Sequence, residues 1–203
     1  MPIHRTVPAL ALALALGACN SHRDRDAAAN PPAGAETGAV PADTAATTSA
    51  PAELSDANIV ALLDHANAAD STAGALAATK ATNPQVKQFA KLMMSEHHAL
   101  RKQGADLAKK LGVTPEPPAN DPVTALAQQE TQALQSAPKG AEFDKTYIDQ
   151  EVTVHEAVLD LAGKAHDQAK NPELKALIEK AKPVIEKHLD QAKQLQQKLQ
   201  GAA

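Results

Sequence analysis

The sequence predicts an all-α protein: a four-helix bundle of two helical hairpins joined by a long crossover segment. Apolar residues between positions 54 and 200 recur at three- and four-residue steps, as they do along one face of a helix. Runs of β-branched and aromatic residues are absent, and the 203 residues contain two Phe, one Tyr and no Trp, which argues against a sheet. The domain formed by residues 54–200 is long enough for one real core.

The first eighteen residues have the pattern of a secretion signal. Arg5 gives a weakly basic start, and residues 7–16 form an apolar run that is too short to span a bilayer. The letters LGAC at 16–19 resemble the lipobox of bacterial lipoproteins, in which cleavage before the cysteine leaves it lipid-modified. Cys19 is the one cysteine of the chain, so an internal disulfide is excluded. We expect residues 1–18 to be a lipoprotein signal peptide; the alternative is an ordinary signal peptide that ends near a cysteine.

Residues 19–53 predict a flexible tether that begins at the lipidated Cys19. Their composition is Ala, Pro, Thr and Gly with few bulky apolar residues, so no core can form there. A flexible chain of this length has a mean span of roughly 30–35 Å. Asn20 after the cysteine resembles the outer-membrane sorting pattern of enteric bacteria. We therefore expect an outer-membrane lipoprotein whose domain faces the periplasm.

One turn motif, present twice, defines the two hairpins. Asn83-Pro84 and Asn171-Pro172 each place Asn at a helix N-cap and Pro at the first helical position. The first helix is predicted from about Leu54 to Lys80, and the second ends at Gly112. Residues 112–141 contain several prolines and a short helix that opens at Asp121-Pro122. Ferritin-like folds use one long crossover of this sort, so the predicted fold is a ferritin-like four-helix bundle.

One polar residue interrupts the apolar face of each long helix: Asp70, His97, His155 and His188. Asp70 and His97 lie 13 and 14 residues from the Asn of their turn, and His155 and His188 lie 16 and 17 residues from theirs. At a rise of about 1.5 Å per residue, each pair is level within its hairpin. All four should therefore lie near the middle of the bundle, where a polar side chain needs a partner.

Three histidines and one carboxylate suit a single zinc, copper, nickel or iron ion. The alternative is that the histidines are structural, lie at the edges of the apolar faces and bond to neighbouring helices or water. Di-iron oxidases need Glu-x-x-His motifs, and these are absent because the residues three before His97, His155 and His188 are Met94, Val152 and Ile185. Too few carboxylates are expected for two irons, although Glu151 lies four residues before His155. No catalytic residue is predicted.

The motifs of residues 54–200 resemble a bacterial family of exported proteins of unknown function, described as outer-membrane proteins and grouped with ferritin-like bundles. The resemblance rests on Asn83-Pro84-Gln85-Val86-Lys87-Gln88-Phe89-Ala90, Met93 with His97, Phe143-Asp144-Lys145-Thr146-Tyr147 before His155, Pro183 with His188-Leu189, and Gly74 with Leu76-Ala77. Family members usually carry an acidic residue at the position of Asp70. The resemblance implies a fold and a compartment, and no activity.

Two functions remain open. The net charge is −4, and no basic stripe with interleaved aromatics is present, so nucleic acid is not an expected partner. We expect a membrane-anchored envelope lipoprotein whose bundle is a non-catalytic binding or interaction module for a protein or cell-wall partner. The alternative is a domain for metal handling or stress protection that holds one divalent transition-metal ion, the site comprising Asp70, His97, His155 and His188.

Overall fold

The computed structural model describes residues 53–201, and the predicted all-α bundle is confirmed there. The predicted signal peptide (1–18), Cys19 and the predicted tether up to residue 52 lie outside the described residues. No helix within 53–201 is long and apolar enough to cross a bilayer. The described residues form five helices: α1 Asp56–Lys80, α2 Pro84–Leu111, α3 Pro122–Ser136, α4 Ala141–Gln168 and α5 Pro172–Gly201.

The four long helices form two hairpins. Helix α1 packs mainly against α2, and α4 mainly against α5, while α1–α4 and α2–α5 contacts join the hairpins. Helix α3 lies in the crossover and packs against both α1 and α4. Helix α1 begins at Asp56, two residues later than predicted, because the Ser55 hydroxyl accepts a hydrogen bond from Asn58 N at 3.1 Å and caps the helix.

The capping chemistry read from the sequence is confirmed. Asn83 Oδ1 accepts from Gln85 N at 2.8 Å, and Asn171 Oδ1 accepts from Glu173 N at 2.8 Å. Gly112 ends α2 in the left-handed region at φ 65°, a conformation that glycine adopts without steric cost. The two hairpin turns therefore have the same Asn cap, and α2 and α5 each begin at the proline that follows it.

Each hairpin turn is fastened by a carboxylate from the other hairpin. Asp144 of α4 accepts from Thr82 N and Asn83 N, both at 2.8 Å, and from the Thr82 hydroxyl at 2.7 Å. At the opposite end of the bundle, Asp56 of α1 accepts from the backbone N–H groups of Lys170 at 2.8 Å and Asn171 at 3.1 Å. These bonds fix the relative height of the hairpins, and therefore of the polar residues that the hairpins carry.

A polar layer divides the core into two apolar halves. One half surrounds Phe89 and Tyr147 near the α1–α2 turn, and the other surrounds Ile59 and Leu174 near the α4–α5 turn. Between them, the long helices contribute buried polar residues at mid-height: one each from α1, α2 and α5, and two from α4. Helices α1 and α2 approach closely at Gly74, on one side of this layer. A Cβ added there would lie only 2.7 Å from the carbonyl oxygen of Ala90, so the approach requires glycine.

Candidate metal centre

The structure places all four predicted residues in the interior. The exposed fractions of Asp70, His97, His155 and His188 are 1%, 4%, 1% and 0%. The three imidazoles converge, with ring centroids 5.2–5.6 Å apart, and one nitrogen of each ring lies within 4.8 Å of the others. We call His97, His155 and His188 the histidine triad. Because its members come from α2, α4 and α5, the triad forms only when both hairpins are docked.

The outer nitrogen of His97 is held by a side-chain amide. His97 Nδ1 lies 2.9 Å from Asn67 Oδ1, and the amide nitrogen of Asn67 donates to the carbonyl of Leu63 at 2.7 Å. Since Asn67 Oδ1 can only accept, the imidazole donates through Nδ1 and keeps a lone pair on Nε2. That Nε2 atom is buried and has no hydrogen-bond partner among the described residues.

The other two histidines of the triad also donate one ring N–H to the protein and leave the second nitrogen free. His155 Nδ1 donates to the carbonyl oxygen of Glu151 at 2.9 Å, and His188 Nε2 donates to the carboxylate of Glu96 at 2.6 Å. His155 Nε2 and His188 Nδ1 are buried and unpartnered. Each imidazole of the triad therefore uses one nitrogen as a donor to protein and retains one free lone pair.

Burial also favours the neutral imidazole, which is the form that binds metals. Desolvation lowers the pKa of His97 to about 4; the charge of Asp70 opposes this shift, and the neighbouring His155 and His188 add to it. Desolvation likewise lowers the pKa of His188, against the hydrogen bond from its ring to Glu96. At neutral pH both rings are uncharged and their free nitrogens are available.

Asp70 does not lie symmetrically with the three histidines. Its Oδ2 is 3.5 Å from His97 Nδ1, on the outer side of that ring. One of its oxygens lies within 4.8 Å of ligand atoms of Glu151 and His155, and its Oδ1 has no partner. Asp70 therefore lies with Glu151 and His155, and His155 is also a member of the histidine triad.

Glu130 is the functional candidate that sequence reasoning missed, so the expected number of carboxylates was too low. Glu130 on α3 and Glu151 on α4 are 2% and 0% exposed. A signal was present in the sequence, because Val123, Glu130 and Leu134 lie on one face of α3 at helical spacing. The rule that identified the triad, a polar residue on an apolar face, also applies to α3. We call Asp70, Glu130 and Glu151 the carboxylate cluster: Asp70 and Glu151 offer oxygens within 4.8 Å of each other, and Glu130 is buried on α3, which packs against α1 and α4.

No buried cation offsets the carboxylate cluster: among residues 53–201 no Lys or Arg is buried. Desolvation, together with the charge of Asp70, raises the pKa of Glu130 to about 8. Desolvation, with the charges of Asp70 and Glu130, raises the pKa of Glu151 well above its usual range. Without a bound cation, Glu130 and Glu151 therefore hold protons at neutral pH.

The remaining histidines that the structure describes lie away from this centre. His98 is exposed beside His97 in sequence, as its position on the helix indicates. His65 Nδ1 pairs with Asp121 at 2.6 Å, and His166 Nε2 contacts Glu179 at 3.1 Å, both outside the core. These residues provide matched controls for substitutions in the triad.

The described residues form an all-α bundle with buried His, Asp and Glu side chains at mid-height that could hold a metal ion. Residues 40–195 match the family described as Domain of unknown function (DUF4142), and the chain belongs to that family. A solved structure described as CopM in the Cu(II)-bound form is similar, with a TM-score of 0.60 and 18% identity over 72% of this chain and 99% of that one. At this identity the likeness shows the fold. None of the curated proteins matches the chain.

Proposed function

We propose that this protein binds a single transition-metal ion through the histidine triad. The observation that carries the proposal is the set of three buried, unpartnered nitrogens: His97 Nε2, His155 Nε2 and His188 Nδ1. Ligand atoms from the three rings lie within 4.8 Å of one another. A metal ion at their centre would accept all three lone pairs.

Structural histidines explain this arrangement less well. A buried polar atom without a partner costs about 1–3 kcal/mol, and the triad carries three such atoms. A histidine that binds a metal through one ring nitrogen usually donates the N–H of the other nitrogen to a carbonyl or carboxylate, which fixes the ring and its tautomer. All three rings do so, to Asn67, Glu151 and Glu96. The surroundings of the triad therefore favour a ligand role.

Copper is the ion to test first. Imidazole nitrogens suit Cu²⁺ and Zn²⁺, and Cu²⁺ binds most tightly to a given nitrogen site among the first-row divalent ions. The CopM structure with the same fold is in the Cu(II)-bound form. We propose the three imidazole nitrogens as the protein ligands of the ion; Asp70, the fourth ligand expected from the sequence, has its oxygen near Glu151 and His155. We propose a role in holding or transferring the ion, with no catalytic step.

The experiment is a thermal melt of the full chain, without a purification tag and stripped of metal, with Cu²⁺ or Zn²⁺ added. At a free metal concentration about 100-fold above the dissociation constant, linkage stabilises a protein by about 2.7 kcal/mol, or about 5–10 °C for a domain of this size. His155→Ala and His188→Ala should each abolish most of this gain. In wild type, nitrogen hyperfine splitting in the Cu²⁺ electron paramagnetic resonance spectrum should report imidazole ligation.

His98→Ala and His166→Ala are the matched controls, since both side chains lie outside the triad, and both variants should keep the full gain. A flat titration of the wild type at neutral pH would refute metal binding. That result would return the domain to the other function expected from its sequence, a module that binds a protein or cell-wall partner. In that case substitutions in the triad would change only the metal-free stability.

We further propose that Cys19 anchors the protein to a membrane, with the domain in the cell envelope. This rests on the apolar run at 7–16 followed by the lone cysteine. Wild-type protein should fractionate with outer membranes and carry lipid at Cys19, whereas Cys19→Ala should not mature to the same product. Wild-type protein recovered free of membranes, with an unmodified N-terminus, would contradict the anchor.

A further inference from the structure

We propose that the carboxylate cluster is a second cation site, in which Asp70 and Glu151 bind a divalent ion preferring oxygen ligands, such as Mn²⁺, and Glu130 supports them. It extends the proposed metal-binding function, and it lies beside His155 of the triad without requiring the triad to be filled. The two sites would differ in chemistry, with imidazole nitrogens on one side of the layer and carboxylate oxygens on the other.

The arrangement of unpartnered atoms supports this site. Asp70 Oδ1, Glu130 Oε1 and both carboxylate oxygens of Glu151 are buried without a hydrogen-bond partner among the described residues. They come from three separate helices, α1, α3 and α4. Ligand atoms of Asp70, Glu151 and His155 lie within 4.8 Å of one another, a spacing that one ion can bridge.

Two groups other than carboxylates point to the same place. His155 lies against the cluster: its Nδ1–H group, which donates to the Glu151 carbonyl oxygen, is 3.3 Å from Glu151 Oε2. Tyr147 is fully buried, and its hydroxyl has no hydrogen-bond partner among the described residues. Desolvation and the charge of Glu151, one helical turn away on α4, raise the pKa of that hydroxyl. The atoms that the cluster offers to an ion are therefore carboxylate oxygens, which suit Mn²⁺.

Charge balance gives the physical reason for an ion. Ionised carboxylates inside a protein must be paired, bound to a cation or protonated. Within residues 53–201 no Lys or Arg is buried, so a protein counter-ion is absent from the cluster. A divalent ion would displace the protons, satisfy the free oxygens and offset two of the three charges. Neutral hydrogen-bonded acids would be the alternative, and that arrangement predicts no cation affinity.

The experiment uses the full chain without a tag, stripped of metal and then loaded with one equivalent of Zn²⁺, which prefers the triad and gives no paramagnetic signal. Mn²⁺ is titrated, and free Mn²⁺ is measured by its electron paramagnetic resonance signal. Wild type should retain one Mn²⁺ per chain. Glu130→Gln should weaken Mn²⁺ binding by at least about tenfold, the scale on which even supporting residues change metal affinity, while keeping the Zn²⁺-dependent rise in melting temperature.

Glu142→Gln is the matched control, because Glu142 is exposed on α4, and it should bind Mn²⁺ like wild type. If Glu130→Gln loses its helical circular dichroism, Glu151→Gln replaces it with the same expectation. The second site is overturned if wild type retains no Mn²⁺, or if the folded glutamine variant binds Mn²⁺ as tightly as wild type. The two proposals fail separately. A missing Zn²⁺ shift refutes the triad, and the Mn²⁺ titration of the unloaded protein still decides the second site.

Discussion

Gly74→Ala tests the close approach of α1 and α2 that positions Asp70 beside His97. A Cβ at residue 74 would lie 2.7 Å from Ala90 O and 3.0 Å from Met94 N. The first distance is about 0.7 Å shorter than an ordinary contact of 3.4 Å. Both obstructing atoms belong to the backbone of α2, so no change of rotamer relieves the clash. The helices must separate, and the contacts around the polar layer must loosen.

The direction of the effect follows from two opposing contributions. Alanine in place of a helical glycine adds about 1 kcal/mol of stability through helix propensity. Overpacking a close interior contact costs about 1–3 kcal/mol, and a contact between backbones lies at or beyond the upper limit. We expect Gly74→Ala to lower the free energy of unfolding by about 2 kcal/mol, and the melting temperature by about 4–8 °C.

Urea unfolding followed by far-ultraviolet circular dichroism measures this change. The matched control is Gly163→Ala, a helical glycine of α4 whose added Cβ meets nothing within 4 Å. Only the propensity contribution applies there, so we expect stabilisation of about 0.5–1 kcal/mol. Gly74→Ala as stable as wild type, or a shift of both variants in the same direction, would refute a close contact between the two backbones at this position.

Two other perturbations have defined outcomes. Asp144→Ala removes three hydrogen bonds that hold the α1–α2 turn. Urea unfolding should show that the free energy of unfolding falls by about 3 kcal/mol. The control is Asp106→Ala, at an exposed residue, which should change stability by less than about 0.5 kcal/mol. The pKa of Glu130 is raised to about 8 in the folded protein, so its contribution to stability is present below its unfolded pKa and is lost as the pH rises through 8. The pKa of His97 is lowered to about 4, so its contribution to stability is present above pH 6.5 and is lost as the pH falls from 6.5 through 4. The contributions oppose each other below pH 6.5. From pH 6.5 to 8, melts of the metal-free protein should show a loss of stability to which Glu130 contributes about 2 kcal/mol, and Glu151, whose pKa is also raised, adds to it. Glu130→Gln should therefore make the slope shallower; an equally steep slope in this variant would contradict the assignment.

The sequence was sufficient for the helices, the hairpin turns and the heights of the four polar residues. Helix periodicity and capping are local, so Asn83 and Asn171 define their turns whatever packs around them. The fixed rise per residue then converts positions along the chain into heights along the bundle. Asp70, His97, His155 and His188 were placed at mid-bundle for this reason, and the structure buries all four there.

Tertiary structure decided which of these residues meet. The rotation of each helix about its own axis is set by packing, and it brings the three histidines together while it directs Asp70 toward Glu151. The path of the crossover is likewise set by packing of α3 on α1 and α4, and it carries Glu130 into the interior. The turn contacts of Asp144 and Asp56 also join opposite hairpins. Such contacts depend on how separate elements dock, which neither local propensity nor spacing along one helix determines.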